Sequence, residues 1–395
     1  MMCIHVLLFL FVFSSSTLAT ADARLFHESK RNGCGANCIS SDERRRVCVN
    51  DACQELESMM TRVEIGVEGV TADMINTKEI VQTILKLTGV SISSVGVEYG
   101  ENETVLSVIV PVEDGATGGV IEEYVDGCVC AMHGCIKKVK SGDFDMSYLR
   151  FGYGEKTLVV LPGLSVKSVL GSADAIQARY GVFSEEYTVF FFDRRVDVPA
   201  NYSVFGMARD TAAAFDAVGL KDTHLVGISQ GGMIAQIMAA DRHDLVKKLV
   251  LGSTSAQPDS QSIMIIGEWI RLAEIKNATG LAEAFGKAVY TESFYDKYHD
   301  AIIASLVNVS DKEYENFIIL ASGMDGLNIT GRDMDIKCPT LVLSADGDKV
   351  FSTNHGKALA QMTGGELYIY EDYGHAAYDE APDYLDRIGT FFGSE

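Results

Sequence analysis

The stretch Thr223 to Ala240, THLVGISQGGMIAQIMAA, constrains the fold more than any other part of the chain. Leu225 and Val226 belong to a short apolar strand, and Met233, Ile234, Ile237 and Met238 recur at helical spacing. Between them stands Ser229, flanked by Gly227, Gly231 and Gly232. A strand that turns directly into a helix brings the two elements so close that the residues two before and two after the turn must lack bulk. Gly227 and Gly231 meet that need. The same turn aims the Ser229 hydroxyl outward and puts the backbone N–H of Gln230 at a helix start, where it can stabilise developing negative charge. The stretch reads as a nucleophile elbow. A structural glycine turn would satisfy the bare pattern equally well, so the remainder of the chain has to decide.

With 395 residues, 47% of them hydrophobic, the chain is long for one domain and comfortable for two. Its formal charge of −22 argues against nucleic acid or anionic membrane as a partner, because both require basic patches. Residues 1–23 hold an apolar run from Val6 to Phe13 and small-residue cleavage options at Ala21 and Ala23, the pattern of a signal peptide, although His5 alone stands where basic residues are usual. That run is about half of the roughly 20 residues a membrane span needs. Secretion, or residence in a secretory-pathway lumen without stable membrane insertion, is therefore expected.

Cysteine usage points the same way. Of nine cysteines, Cys3 leaves with the signal, while Cys34, Cys38, Cys48, Cys53, Cys128, Cys130 and Cys135 cluster before the elbow-bearing region. In an oxidising lumen this is a disulfide-stapled module. Zinc is the competing account of the same spacings, with His133 the only histidine amid the cluster. Seven is odd, so either Cys338 pairs with one of them or a thiol stays free, and Cys338 beside Pro339 suits an inert core cysteine. Sequons at Asn102, Asn201, Asn277, Asn308 and Asn328 agree with secretory passage and make a glycoprotein the expectation.

Residues 24–60 form an irregular, cysteine-bearing leader. Over 61–135, Val63, Ile65 and Val67 alternate as in a half-buried strand, Thr77 caps a helix bearing Ile80, Val81, Ile84 and Leu85, strands follow at Ser94 to Tyr99 and Thr104 to Pro111, and a helix at Gly118 to Val125. The order suits a small ferredoxin-like α+β module. It carries no cluster of catalytic residue types, which leaves it an accessory or interaction role toward a protein or a glycan. A glycine-rich connection around Gly142 and Gly152 leads into a second domain at 147–395. There Thr157 to Leu161, Val189 to Phe192, Leu249 to Leu251, Thr340 to Leu343 and Leu367 to Tyr370 are apolar strands separated by helical stretches, which indicates a doubly wound, mostly parallel sheet. An insert at about 257–333 is helical by pattern, contains the single Trp269 with Ile265, Ile266, Ile270 and Leu272 nearby, and would cover the carboxyl ends of the strands.

Segments LPGLS at 161–165, FFDRR at 191–195, GISQGGMIAQ at 227–236, LVLGSTSA at 249–256, CPTLVLSADGDKV at 338–350 and EDYGHAAYDEAP at 371–382 follow in series. Residues from about 147 to 393 resemble an α/β-hydrolase with a helical cap, the group of esterases, enol-lactonases and haloperoxidase-like proteins. The resemblance implies the order nucleophile, acid, histidine: Ser229, Asp348 and His375. It also implies that the loop after the Thr157 to Leu161 strand supplies a second oxyanion donor, Leu164, beside Gln230. Where the family carries His-Gly this chain has Pro162-Gly163, which removes a histidine that often orders that loop. No metal or organic cofactor is implied.

The chemistry asks for these types independently. A serine hydroxyl needs an adjacent base, for which histidine is suited, and the imidazole needs a carboxylate to fix its tautomer. Asp346 rivals Asp348 for that role, but it can also serve as a turn aspartate. The expected activity is hydrolysis of a carboxylic ester, or a related acyl bond in a small-molecule substrate, through an acyl-enzyme. The alternatives are a non-catalytic extracellular binding or adhesion protein on a hydrolase fold, and a peptidase of the proline-peptidase type.

Overall fold

The computed structural model describes the strands Met60–Glu68, Ser94–Tyr99 and Glu103–Pro111, residues 134–330 and residues 335–394. These belong to two units divided at Gly134. In the first, β1 (Met60–Glu68), β2 (Ser94–Tyr99) and β3 (Glu103–Pro111) form an antiparallel sheet in the order β1-β3-β2, with Ile65 opposite Leu106 and Val95 opposite Val108. The helices expected from Thr77 and Gly118, the cysteine leader and the signal segment lie outside the described residues.

The second unit is built on an eight-stranded sheet in the order β11-β10-β9-β8-β6-β7-β5-β4. Its elements are β4 (Cys135–Ser141), β5 (Phe144–Phe151), β6 (Lys156–Leu161), β7 (Tyr187–Arg195), β8 (Thr223–Ile228), β9 (Val246–Gly252), β10 (Thr340–Ala345) and β11 (Glu366–Tyr370). Strands β6 to β11 run parallel, and β4 and β5 are an antiparallel hairpin added at one edge. The five apolar runs of the sequence all fall within these parallel strands. The domain boundary expected at 147 is corrected, because it falls inside β5 and the sheet begins at Cys135. Gly142 is not a linker residue: at φ 59° it makes the hairpin turn, and Gly152 follows the strand at φ 79° with a Cβ position 2.4 Å from the Tyr187 carbonyl oxygen.

Consecutive side chains of a strand point to opposite faces, and β7 shows how both faces are covered. Phe191 meets Tyr180 of α1 (Ala173–Tyr180) edge-on at 4.7 Å, while Phe192 packs on Phe215 of α2 (Val204–Val218) at 4.9 Å. α1 and α2 therefore lie on opposite sides. The central strand β8 leads into α3 (Gln230–Asp241), which is buried along most of its length. Between β9 and β10 the chain inserts α4 (Ser260–Glu274), α5 (Ala278–Val289), α6 (Glu292–Ser305) and α7 (Asp311–Ser322), the helical cap. Each cap helix starts on a side-chain cap, and Ser310 with Glu313 forms a full capping box. After β10 come α8 (Thr353–Thr363), β11, the short α9 (Ala377–Glu380) and α10 (Tyr384–Gly393). Among the described residues no helix is long and apolar enough to cross a membrane.

Candidate active site

Ser229 sits between β8 and α3 at φ 53°, ψ −120°, a conformation a side-chain-bearing residue adopts only under constraint. The constraint is visible on both sides. A Cβ on Gly227 would fall 2.6 Å from the Gly232 Cα, and one on Gly231 only 2.0 Å from the Leu161 carbonyl oxygen. The Ser229 N–H donates to the Gly252 carbonyl at 2.9 Å, and the Thr254 hydroxyl donates to the Ser229 carbonyl at 2.6 Å. The serine is thus held from β9 as well as from its own turn.

Two distant loops meet it. His375, after β11, places Nε2 3.1 Å from the Ser229 Oγ and Nδ1 2.9 Å from the Asp348 Oδ2, and both the imidazole and the carboxyl are buried. Asp348 follows β10, and its other oxygen accepts the N–H groups of Val350 and Phe351, each at 2.8 Å. Those two amides orient the carboxyl, so the remaining oxygen faces the imidazole and fixes the proton on Nδ1. Asp346 stands elsewhere, accepting the Asp372 N–H at 2.9 Å in the neighbouring turn.

The loop after β6 passes directly over the serine. Gly163 and Leu164 line the same cavity as Ser229 and His375, and a Cβ on Gly163 would lie 3.2 Å from the Ser229 Cβ. Gln230 is the first residue of α3, so its N–H has no acceptor within the helix. From the cap, Ile266 and Trp269 of α4, Phe285 of α5 and Met324 just beyond α7 complete the wall.

Sequence reasoning missed what anchors the loop. The Arg194 guanidinium, at the end of β7, donates to the Pro162 carbonyl at 2.8 Å and to the Gln230 side-chain oxygen at 3.1 Å. Gln230 in turn donates to the Leu320 carbonyl of α7 at 2.7 Å. One buried chain of hydrogen bonds therefore links the loop, the elbow helix and the cap where the usual histidine is missing. Beside it, the Ser168 hydroxyl donates to Asp193 at 2.5 Å. Burial pushes the Asp193 carboxyl above the usual carboxylate range and the Arg194 guanidinium below its own. The FFDRR motif held the signal, but Arg194 and Arg195 look alike in sequence; Arg195 instead pairs with Asp210 at 2.8 Å and lies over the Phe144 ring.

A mostly parallel sheet with a strand–serine–helix turn at its centre, followed along the chain by an acid and a histidine on the last loops, is the architecture of a hydrolase. The model of the alpha/beta hydrolase family matches residues 158–387, and the chain belongs to that family. Over 240 residues it is 21% identical to 3-oxoadipate enol-lactonase 1 of Acinetobacter baylyi, a match spanning 58% of this chain and 88% of that one. Among solved structures, MGS-M2, an alpha/beta hydrolase from a Medee basin deep-sea metagenome library, aligns with a TM-score of 0.60 at 20% identity, covering 66% of this chain and 98% of that one. A thermophilic esterase from Thermogutta terrifontis aligns with a TM-score of 0.53 at 20% identity, over 65% and 97% of the two chains. At such identities the structural likeness establishes the fold.

Proposed function

We propose that the protein is a serine hydrolase that cleaves a carboxylic ester or related acyl bond of a small molecule. The observation that carries the reading is the hydrogen-bonded line Ser229–His375–Asp348, at 3.1 and 2.9 Å. The Ser229 Oγ attacks the acyl carbonyl carbon as its proton passes to His375 Nε2, whose lone pair is free because Asp348 holds the other nitrogen's proton. The oxyanion is stabilised by the N–H groups of Gln230 and Leu164. His375 then protonates the leaving alcohol, the acyl-enzyme remains, and a water deprotonated by His375 releases the acid and restores Ser229. A serine rather than an aspartate at residue 229 favours this route over direct displacement by a carboxylate.

Replacing Ser229 with alanine should abolish turnover of a p-nitrophenyl ester and labelling by a fluorophosphonate probe, with circular dichroism unchanged. Retention of most of the rate would remove the assignment. We further propose passage through the secretory pathway. Its supports are the apolar run of residues 6–13, the sequons, and the clustering of seven cysteines between Cys34 and Cys135. Mass spectrometry of the native protein, reading its N-terminus and Asn102, tests it.

A further inference from the structure

The cavity above Ser229 is tight: its water-sized space amounts to only about 10 Å³, room for roughly one water molecule. Apart from Ser229, His375 and the Tyr378 phenol, its wall is hydrocarbon and aromatic. Trp269 and Phe285 stack at 4.3 Å with 28° between their planes, and both are buried. Leu164, Met324 and Phe351 are buried as well. Among the described residues no Asp, Glu, Lys or Arg side chain lines the cavity. The one guanidinium tied to its floor, Arg194, already donates to Pro162 and Gln230. A carboxylate drawn into this space would lose its water and find no cation, whereas a hydrocarbon chain would exchange water for aromatic contact.

We propose that this cavity selects a short, uncharged hydrocarbon acyl group and rejects an acyl chain that ends in a carboxylate. The inference rests on Ser229 being the nucleophile and adds the substrate class. It follows from the wall, not from the reacting groups, so the two can fail separately.

The test compares matched esters on the purified full chain: p-nitrophenyl pentanoate against mono-p-nitrophenyl glutarate, which differ only in a terminal methyl against a terminal carboxylate. A second pair, p-nitrophenyl butyrate against decanoate, reads size. The expected result is a kcat/KM lower by about 100-fold for the glutarate and by at least about tenfold for the decanoate, with all turnover lost in Ser229→Ala. Equal rates within either pair, still dependent on Ser229, overturn the pocket inference and leave the nucleophile standing. Turnover of no ester, or turnover that survives Ser229→Ala, overturns both.

Discussion

At the scale of single residues, the site is held by the absence of side chains as much as by their presence. Ser229 occupies a backbone conformation that costs on the order of 1–3 kcal/mol, and Gly227, Gly231 and Gly163 leave room for the strands and loops that enforce it. Gly231 is the sharpest case, because the atoms its Cβ would strike are the backbone oxygens of Leu161 and Pro162 at 2.0 and 2.5 Å, which cannot rotate away. Gly231→Ala should therefore push the loop carrying Leu164 away from Ser229. The expected outcome is a loss of about 1–3 kcal/mol in stability by thermal denaturation, together with a lowered kcat. A variant as stable and as active as the parent would show that the loop is free to move. Ser229 and its glycines were legible in the sequence because their reason is local, all of them falling within a few residues of one turn. Arg194 was not, since Pro162, Gln230 and Leu320 meet it only after β6, β7, α3 and the cap have assembled.

At the scale of elements, that assembly makes Arg194 a positioning residue for the loop after β6. Arg194→Met would leave the Pro162 carbonyl and the Gln230 oxygen buried without donors, at about 1–3 kcal/mol for each group. The expected kinetic signature is a fall in kcat of about tenfold or more with a smaller change in KM, because the oxyanion contact proposed for Leu164 acts in the transition state, while Gly163 and Leu164 form only part of the cavity wall. Arg194→Lys should restore only part of it, since an ammonium lacks the planar fork that reaches both acceptors. Wild-type kcat in Arg194→Met, measured on a p-nitrophenyl ester, would refute the role. The parallel strands were readable because each is apolar on both faces, as burial between two helical layers requires. The edge hairpin was not, for the same physical reason inverted. Strand β4, CIKKVKS, exposes Ile136, Lys138 and Lys140 in alternation, and lysines on an outer strand protect it from further pairing while erasing the apolar run.

At the scale of the whole molecule, the sheet couples the site end of β8 to its opposite end, where a second histidine is buried without taking part in the chemistry. His224, the second residue of β8, is hydrogen-bonded through Nδ1 to the Tyr187 hydroxyl at 3.1 Å and packs on Phe392 of α10 at 4.7 Å. Burial first, then the charges of Lys248, Lys247 and Lys156, lowers its pKa from 6.5 to about 4. The Tyr187 hydroxyl, raised to about 12 chiefly by burial, stays protonated throughout. In the folded chain His224 is therefore neutral across a range in which the unfolded chain binds a proton. Between pH 6.5 and 4 the unfolded state holds more protons, so stability rises with pH there. His224 contributes fully above pH 6.5, progressively less as pH falls toward 4, and the whole of this contribution is gone below. The formal charge of −22 works in the opposite sense over the same interval, because protonating surface carboxylates relieves self-repulsion. A variant comparison separates the two. His224→Gln keeps a hydrogen-bonding partner for Tyr187 and the surface charges but cannot be protonated. Its melting temperature, relative to wild type, should be lower or equal at pH 7.5 and should gain on wild type by a few degrees at pH 4.5. A parallel pH dependence of the two proteins would mean that His224 does not couple folding to protons, and that the acid sensitivity of the molecule lies in its carboxylates.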